Sequence, residues 1–294
     1  MAATNTSENR NCSSSKYIYA AVSVLAMLLA LLVIPEHSVA EPLEYNPFAT
    51  IGLEARWGRL DGRLGFAQDT GETGTLNDFV MDLGLPRNTM TWGVQATARP
   101  LEHHLVRIFG YLPETYKGGT TLNRALTTRN FTYAAGTSIL SEFKTAMFGF
   151  GYDLDFLVGP KWYGGLHGNI RHMLVQVRMG NAASGREDTL SIAETVPCLG
   201  AHMQTRNTFE FGPGRGNVNL GGFARMNFSM TPNFMNYFDV TAGVAVGFRV
   251  GMLAMVETKI GYHYESYYHD QEVNGGKILE LRRDGILLSL EGLF

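Results

Sequence analysis

The sequence has few cysteines, little charge and no second long apolar run. Its two cysteines, Cys12 and Cys198, exclude a cysteine-rich disulfide scaffold and a cysteine-based metal cluster. Charged residues make up 17% of the chain and the formal net charge is −3, which gives no electrostatic reason to expect a nucleic-acid partner. After residue 40, no apolar run approaches the length of a membrane-spanning helix. A membrane protein with several helical spans is therefore excluded.

The first forty residues have the layout of a secretory signal peptide. A polar segment with basic residues precedes an apolar stretch at 17–34, and a small-residue cleavage site follows at 38–40. We predict a cleaved signal peptide at 1–40 and a mature chain at 41–294, which keeps Cys198 as its single cysteine. The alternative interpretation is an uncleaved membrane anchor, because the apolar stretch is nearly long enough to span a bilayer.

The chain is rich in glycine and aromatic residues, with 34 glycines, 11% aromatics and a mean hydropathy of −0.05. This mixture is typical of strands that have one apolar and one polar face. The alternation expected of transmembrane strands occurs in ten windows, 51–57, 90–99, 105–112, 146–156, 162–171, 197–206, 218–228, 238–249, 256–265 and 283–294. No outward position in these windows carries a charge, whereas the inward positions carry sixteen. A charge that faces lipid costs about 2–4 kcal/mol at the bilayer midplane, which explains its absence there.

This pattern predicts an all-β fold, a transmembrane antiparallel up-and-down β-barrel of about ten strands, with eight or twelve as alternative counts. The barrel has to close, because an open sheet edge in lipid would leave backbone amides unpaired. A soluble β-sandwich is the other interpretation of the alternation. Its solvent face would be rich in lysine and glutamate, and here the polar faces hold glycine, asparagine, arginine and aspartate instead.

An even number of strands places both ends of the barrel sheet on the periplasmic side. The connections at 59–88, 113–134, 179–189 and 266–282 then fall on the outer side. Within the first of them, the 76–83 segment mixes apolar and acidic residues, and we expect it to form a short helix over the mouth.

The last strand has apolar residues at alternate positions and ends on an aromatic one, in the pattern Ile286-x-Leu288-x-Leu290-x-Gly292-x-Phe294. It resembles the closing strand of the Gram-negative outer-membrane β-barrel superfamily. The Asp-Leu-Gly-Leu-Pro stretch at 82–86 is similar to features of small integral proteins of that superfamily. The resemblance implies a porin-like architecture, a location in the outer membrane of a Gram-negative bacterium, and recognition of the last strand by the barrel assembly machinery. It implies no activity.

The inward charges predict an ion-pair network that plugs the lumen, because nine cations nearly balance seven anions and an uncompensated buried charge is costly. The residues assigned to this network are Glu54, Arg56, Arg107, Asp153, Asp155, Arg171, Arg225, Asp239, Arg249, Glu257, Lys259, Glu265, Arg283 and Glu291. Arg99 and Arg206 also face inward. Aromatic residues near strand ends predict interfacial girdles formed by Trp57, Trp92, Trp162, Tyr262, Tyr264 and Phe294.

The predicted role is structural or binding, with a largely plugged polar lumen. One alternative is a narrow passive channel for small polar solutes. The other is a barrel enzyme that acts on lipid or peptide at the extracellular mouth. There His263 and Glu265 share a face, so the carboxylate could orient the imidazole as a general base. His269 and Asp270 lie nearby, and Glu187 begins the nearest second acidic pair.

We assign no catalytic residue, metal site or cofactor. The adjacent His103 and His104 point to opposite faces of a strand and cannot hold one ion on one face. Cys198 beside His202 lacks the further ligands that zinc requires.

The expected partners are outer-membrane lipids and lipopolysaccharide, and the barrel is expected to be a monomer. Lys117, Arg124 and Arg129 fall on a predicted outer loop, where they could meet lipopolysaccharide phosphates. Ordinary solvated loop charge would explain the same three residues.

Overall fold

The computed structural model describes residues 47–67, 73–101, 103–159, 161–210, 217–231, 234–250, 254–271 and 277–294. The predicted signal peptide at 1–40 lies outside these residues and stays a prediction. Within the described ranges, no helix is long and apolar enough to cross a membrane.

The described residues form fourteen strands. In chain order they are β1 (Ala49–Ala67), β2 (Thr73–Asp78), β3 (Asn88–Leu101), β4 (His104–Thr121), β5 (Leu126–Thr127), β6 (Thr132–Tyr133), β7 (Ser138–Gly159), β8 (Trp162–Asn181), β9 (Glu187–Thr205), β10 (Asn207–Glu210), β11 (Asn217–Thr231), β12 (Phe234–Val250), β13 (Ala254–Gln271) and β14 (Lys277–Leu293).

Ten of these strands close into an antiparallel barrel in the order β1, β3, β4, β7, β8, β9, β11, β12, β13, β14. The sheet closes at β1, where Leu53 lies opposite Val94 of β3 on one side and Leu290 of β14 on the other. The predicted transmembrane barrel of ten strands is therefore confirmed. The four short strands add to the wall or form small hairpins, with β2 on β1, β10 on β11, and β5 paired to β6.

The two ends of the barrel differ in their connections. At one end β3 and β4 are separated only by residues 102–103, and β7 and β8 only by residues 160–161. At the other end the connection from β4 to β7 is long. Bacterial barrels have short periplasmic turns and long extracellular loops, so we call these the periplasmic and extracellular ends.

The outward side chains form the predicted apolar belt. In β7 the outward residues Phe148, Phe150 and Tyr152 are exposed, whereas the inward Asp153 is buried. On β14 the belt runs from Ile286 to the final residue, roughly 26 Å along the strand at ~3.3 Å per residue, which is close to the apolar band of outer-membrane barrels.

On the extracellular side of this belt, the alternation of β14 continues, but the polar side chains now point outward and the apolar ones point inward. Glu280 and Asp284 now point outward, and Leu279 and Leu281 point inward and are fully buried. The exterior here is polar, as in a water-soluble protein. The same reversal occurs in β1, β7 and β8.

The inward side chains of this extracellular half pack into one apolar cluster, which we call the outer core. Its members on the barrel wall are Leu60, Leu64, Ile139, Phe143, Met147, Met173, Val175, Val177, Met179, Leu190, Ile192, Val196, Cys198, Tyr237, Tyr267, Leu279 and Leu281. They come from seven strands, β1, β7, β8, β9, β12, β13 and β14, and Tyr116 of β4 packs against them. Because the contributions come from around the barrel, the outer core extends across the lumen.

Two segments fold into the extracellular mouth and complete the outer core. They contribute Phe79, Leu83 and Leu85 after β2, and Leu122, Leu126 and Tyr133 around the β5–β6 hairpin. Arg124 joins the two segments, donating to Asp82 at 2.7 Å and to the Leu76 carbonyl at 2.9 Å. Gly84 has a φ of +64°, and a Cβ there would lie 2.5 Å from the Gly119 carbonyl oxygen of β4. Glycine is therefore required where this segment meets the wall.

Two expectations about this end were wrong. Residues 76–78 belong to β2 and 79–83 form turns, so the short helix expected at 76–83 does not exist. The predicted outer connections are also largely strand, since β1 continues to Ala67, β4 continues to Thr121 and β14 begins at Lys277. The lipid-facing alternation ends where the outward residues become polar, but the strands continue into water.

Pro197 within β9 is accommodated by an interruption in the wall. β11 pairs with β9 only from Leu199 to Gln204, so among the described residues the 187–198 part of β9 has a ladder partner only in β8. Pro197 lies just beyond that ladder. Its missing N–H therefore removes no hydrogen bond to β11.

Candidate functional site

A cavity of about 600 Å³, lined by both charged and apolar side chains, occupies the lumen on the periplasmic side of the outer core. Among the described residues, its lining extends from Arg171 and Asp239 in the middle of the barrel to His103, Lys161 and Leu293 at the periplasmic end. We call it the lumen cavity. It exists because the inward positions of the membrane half carry polar and charged side chains, which pair with one another instead of packing without gaps.

The inner end of the lumen cavity is an ion pair directly beneath the outer core. Arg171 donates to Asp239 and to the hydroxyl of Tyr237, and Asp239 also accepts a 2.7 Å hydrogen bond from the Asn227 amide. The Tyr237 hydroxyl lies 3.0 Å from a Glu265 oxygen. All five side chains are buried. Arg171 and Asp239 therefore compensate one another inside the barrel.

A second group centres on Asp153 of β7. Arg225 of β11 donates to both of its carboxylate oxygens at 3.0 to 3.2 Å. Arg107 of β4 approaches the same carboxylate only to 3.7 Å, with its guanidinium over the Phe109 ring at 4.8 Å from the ring centroid. Two arginines thus share one aspartate.

A third group lies nearer the periplasmic end. Lys259 of β13 lies 2.7 Å from Glu291 of β14 and 3.4 Å from Glu257 of its own strand. Arg206 donates to Glu257 at 3.1 Å, and the Gln95 amide donates to Glu291 at 2.8 Å. Oppositely charged side chains that lie close together on the barrel wall therefore form ion pairs, as the inward pattern predicts.

Most of the residues predicted for the lumen network do line the lumen cavity. These eleven are Glu54, Arg56, Arg107, Asp153, Asp155, Arg171, Arg225, Asp239, Glu257, Lys259 and Glu291. Glu265 and Arg283 lie beside a separate void of about 20 Å³, and Arg249 is exposed at the periplasmic end of β12. The network leaves an open cavity where the sequence predicted a charged plug. The outer core closes the lumen instead.

Uncharged polar residues of the lumen were missed. Asn227 accepts from Asn169 at 2.8 Å and lies 2.7 Å from the His167 Nε2, and Gln204 donates to Glu257. These residues occupy inward positions of the predicted windows. The alternation therefore points to them once uncharged polar side chains are included with the charged ones. Tyr237 precedes its window and carries no such signal.

His263 and Glu265 are not at the mouth, contrary to expectation. Both are 2% exposed inside the barrel, with 3.9 Å between His263 Nε2 and Glu265 Oε2. His263 Nε2 accepts a 2.6 Å hydrogen bond from Arg56, and its Nδ1 lies 3.0 Å from the Thr241 hydroxyl. Both ring nitrogens are therefore engaged, and the imidazole has no free base position.

The residues that do lie near the mouth are His269 and Glu194, with His269 Nδ1 at 2.8 Å from the carboxylate. Of the acidic pair expected to face them, Glu187 pairs with Arg178 on the exterior, and Asp188 accepts from Asn130 at 3.1 Å. The Asp270 side chain lies outside the described residues.

No group of three histidine, cysteine, aspartate or glutamate residues in the described part of the chain has the geometry of a metal site. Cys198 is buried, and His202 is held by Asp155 at 2.7 Å. His103 lines the lumen cavity while His104 contacts Tyr152 on the outer face, in agreement with the alternation.

The predicted interfacial aromatics lie at two levels of the belt. Trp57, Trp92, Tyr262 and Tyr264 point outward toward its extracellular edge, and Phe294 lies at the periplasmic end. Trp162 also lies at the periplasmic end, but it is half-buried and borders the lumen cavity. Trp57 and Phe294 are 60% and 55% exposed, as expected for rings that reach the headgroup region.

The basic residues predicted to meet lipopolysaccharide have protein partners. Lys117 lies on the extended β4, 3.8 Å from Glu142, and Arg124 is bound to Asp82. Burial disfavours the ionised form of Asp82, but the hydrogen bonds from Arg124 and from the Asp78 backbone N–H, together with the charge of Arg124, outweigh burial and hold the pKa of Asp82 below its usual value.

No family model and no curated protein matches the sequence. Solved structures that are similar to this chain include the outer membrane protease OmpT from Escherichia coli, with 12% identity, 86% of this chain and 99% of that chain covered, and a TM-score of 0.40. Another is the transport unit of the autotransporter AIDA-I from Escherichia coli, with 10% identity, 92% and 97% coverage, and a TM-score of 0.43. A Pseudomonas aeruginosa FadL homologue has 9% identity, 84% and 90% coverage, and a TM-score of 0.29.

Identities and TM-scores this low say nothing about the activity of this chain. Its own architecture is decisive: ten strands close on themselves, an apolar belt covers the outside, and charges face the lumen. The chain folds as a closed transmembrane β-barrel.

Proposed function

We propose that this protein is a non-conducting outer-membrane barrel that binds a small polar solute from the periplasmic side. The observation that carries the proposal is the stacking of a closed apolar core above an open cavity with charged and apolar walls in one lumen. A volume of about 600 Å³ lies in the usual range for small-molecule sites. Convergent charges on its wall would orient a polar ligand.

The packing of the outer core argues against the channel alternative. Phe79 and Phe143 are fully buried, with ring centroids 5.1 Å apart, and Leu83 is also fully buried. A hydrated ion could pass only if such side chains left their positions, and an empty space in a packed core costs several kcal/mol. Conduction would therefore need the two infolded segments to move together.

The enzyme alternative has less support. Its candidate base, His263, has both ring nitrogens engaged and does not line the lumen cavity. A general base needs a nitrogen within hydrogen-bond reach of its substrate.

Planar-bilayer recording tests the proposal. We expect no discrete openings from the wild-type protein at either polarity. Replacing Phe79 and Leu83 together by aspartate would hydrate the outer core, and we expect openings from that variant. Met81→Asp is the matched control, because Met81 lies on the same segment and is 77% exposed. Gel mobility with and without heating would verify that each variant folds, and discrete openings in the wild type would contradict the proposal.

A further inference from the structure

The outer surface of the barrel carries a group of basic side chains just above the apolar belt. Lys117 of β4, Lys144 of β7 and Arg178 of β8 lie on three adjacent strands, and all three are exposed and point outward. We call these three residues the basic patch. Its side chains face the surroundings of the barrel and lie apart from the lumen cavity.

The charges of the basic patch are incompletely paired. The strand register places Glu142 directly between Lys117 and Arg178, and places Lys144 diagonal to both. The Lys144 ammonium lies 2.8 Å from the Glu142 carboxylate, whereas that of Lys117 approaches the same carboxylate only to 3.8 Å, beyond hydrogen-bond distance. Arg178 pairs with Glu187 instead. Two lysines therefore share one carboxylate.

The basic patch begins at the upper edge of the lipid-facing surface. Thr115 and Gln176 flank Lys144 in the register, and all three are exposed. The next outward residues toward the periplasm are the apolar Ala146 and Leu174, which lie opposite one another. A lipid whose acyl chains cover the belt here has its headgroup beside Lys144. The long stem of a lysine lets its ammonium reach such a headgroup.

This arrangement favours a phosphate. Like charges on diagonal positions repel one another, and an added anion relieves that repulsion. A phosphate group has several oxygens and can accept charge-assisted hydrogen bonds from more than one cation. Arg59 of β1 has the contrasting arrangement. It is also exposed and outward, but it donates to both oxygens of Asp284, at 2.9 and 3.3 Å, and so has a carboxylate of its own.

We propose that the basic patch binds the phosphate group of a membrane lipid whose acyl chains lie against the neighbouring belt, with Lys117 and Lys144 as its main contacts. Lipopolysaccharide, the partner expected from the sequence, carries phosphates next to its acyl chains. The site lies on the outer surface, so it is independent of the ligand proposed for the lumen cavity.

Native mass spectrometry tests the site, with the purified full chain in maltoside micelles and bis-phosphorylated lipid A as the titrated probe. We expect saturable binding to the wild type. Lys117→Gln/Lys144→Gln should weaken it about tenfold or more, because two cations near the phosphate are lost. Arg59→Gln/Arg63→Gln is the matched control, since it removes two exposed charges from β1, outside the basic patch. We expect it to bind like the wild type.

A third variant should change the affinity in the opposite direction. Glu142→Gln removes the carboxylate that competes for both lysines, so we expect it to bind lipid A several-fold more tightly than the wild type. This gain would also show that loss of affinity in the lysine variant does not arise from a damaged fold. Gel mobility with and without heating would verify that every variant is folded.

Two further probes identify the ligand. Lipid A without its phosphates should bind the wild type no better than the phosphorylated lipid binds Lys117→Gln/Lys144→Gln. Inorganic phosphate should not displace lipid A at comparable concentration, because it lacks the acyl chains. Displacement would assign the site to a soluble anion and overturn the lipid as its ligand.

Three other results would overturn the inference. They are unchanged binding in the folded lysine variant, equal losses in the lysine variant and the arginine control, and equal binding of lipid A with and without phosphates. None of them bears on the closed lumen, which the bilayer recordings test separately.

Discussion

The extracellular half and the membrane half of this barrel are made from the same strands, yet they have opposite interiors. In β14 the inward residues are leucines at 279 and 281, then Ser289 and Glu291 further down. The outward residues change in the other direction, from Glu280 and Asp284 to the apolar belt. Strand geometry fixes only that neighbouring side chains point to opposite faces. The medium outside then determines which face is apolar, since lipid requires an oily exterior and water allows an oily interior.

The two halves also differ in how completely they are packed. Apolar side chains have no directional requirements and fill the outer core, as in other protein interiors. Charged side chains in the membrane half hold particular partners at hydrogen-bond distance, and a cavity of about 600 Å³ remains between them. The polar half therefore offers the space for a ligand, and the apolar half provides the seal.

The largest expected effect is on the seal. Phe79→Ala should lower the free energy of unfolding by about 3–5 kcal/mol, because it empties a fully buried aromatic site. Urea unfolding followed by tryptophan fluorescence in lipid vesicles would measure it. The control is Met81→Ala, two residues away and exposed, which should leave the midpoint nearly unchanged. Equal shifts in the two variants would show that the outer core is not packed as described.

The position of the polarity reversal can be located with two substitutions on β7. Leu154→Lys places a charge in the apolar belt and should cost up to about 2–4 kcal/mol, the value for a charge at the bilayer midplane. Leu140→Lys makes the same change at an outward leucine that is 60% exposed on the extracellular part of the strand, where water solvates the charge. We expect little effect there. If both variants lost equal stability by vesicle unfolding, the belt would extend further up the barrel than the outer core allows.

The smallest expected effect concerns the contact between the two infolded segments. The pKa of Asp82 is lowered in the folded protein, so its contribution to stability is present above the unfolded pKa and is lost as pH falls through the folded pKa. The loss should be below about 1 kcal/mol, because the Asp82–Arg124 pair is partly exposed. Protease sensitivity of the mouth at pH 7 and at acidic pH would detect it. Arg124→Met should reduce this pH dependence, and an identical pH response in that variant would contradict the assignment.

The belt and the inward charges could be predicted from the sequence because each is a local pattern. Ten windows had uncharged outward faces, and the structure places each of them in a barrel strand. The helix predicted at 76–83 was wrong. Its apolar and acidic residues form the end of β2 and a turn instead, and Phe79 and Leu83 of this turn pack into the outer core. The predicted general-base role of His263 and Glu265 was wrong, because Arg56 and Thr241, which are distant in sequence, contact both ring nitrogens of His263.

By itself, the sequence determined the strand period, the lipid-facing surface and the charged character of the lumen. The reason is that each strand sets its own alternation and a charge that faces lipid is costly. Only the tertiary structure decided where the interior changes from apolar to polar, which carboxylate each arginine obtains, and that Arg107 is left with unmatched donors. Those features depend on which residues face one another across a closed barrel. That proximity is created by strand register and closure, and no stretch of the sequence contains it.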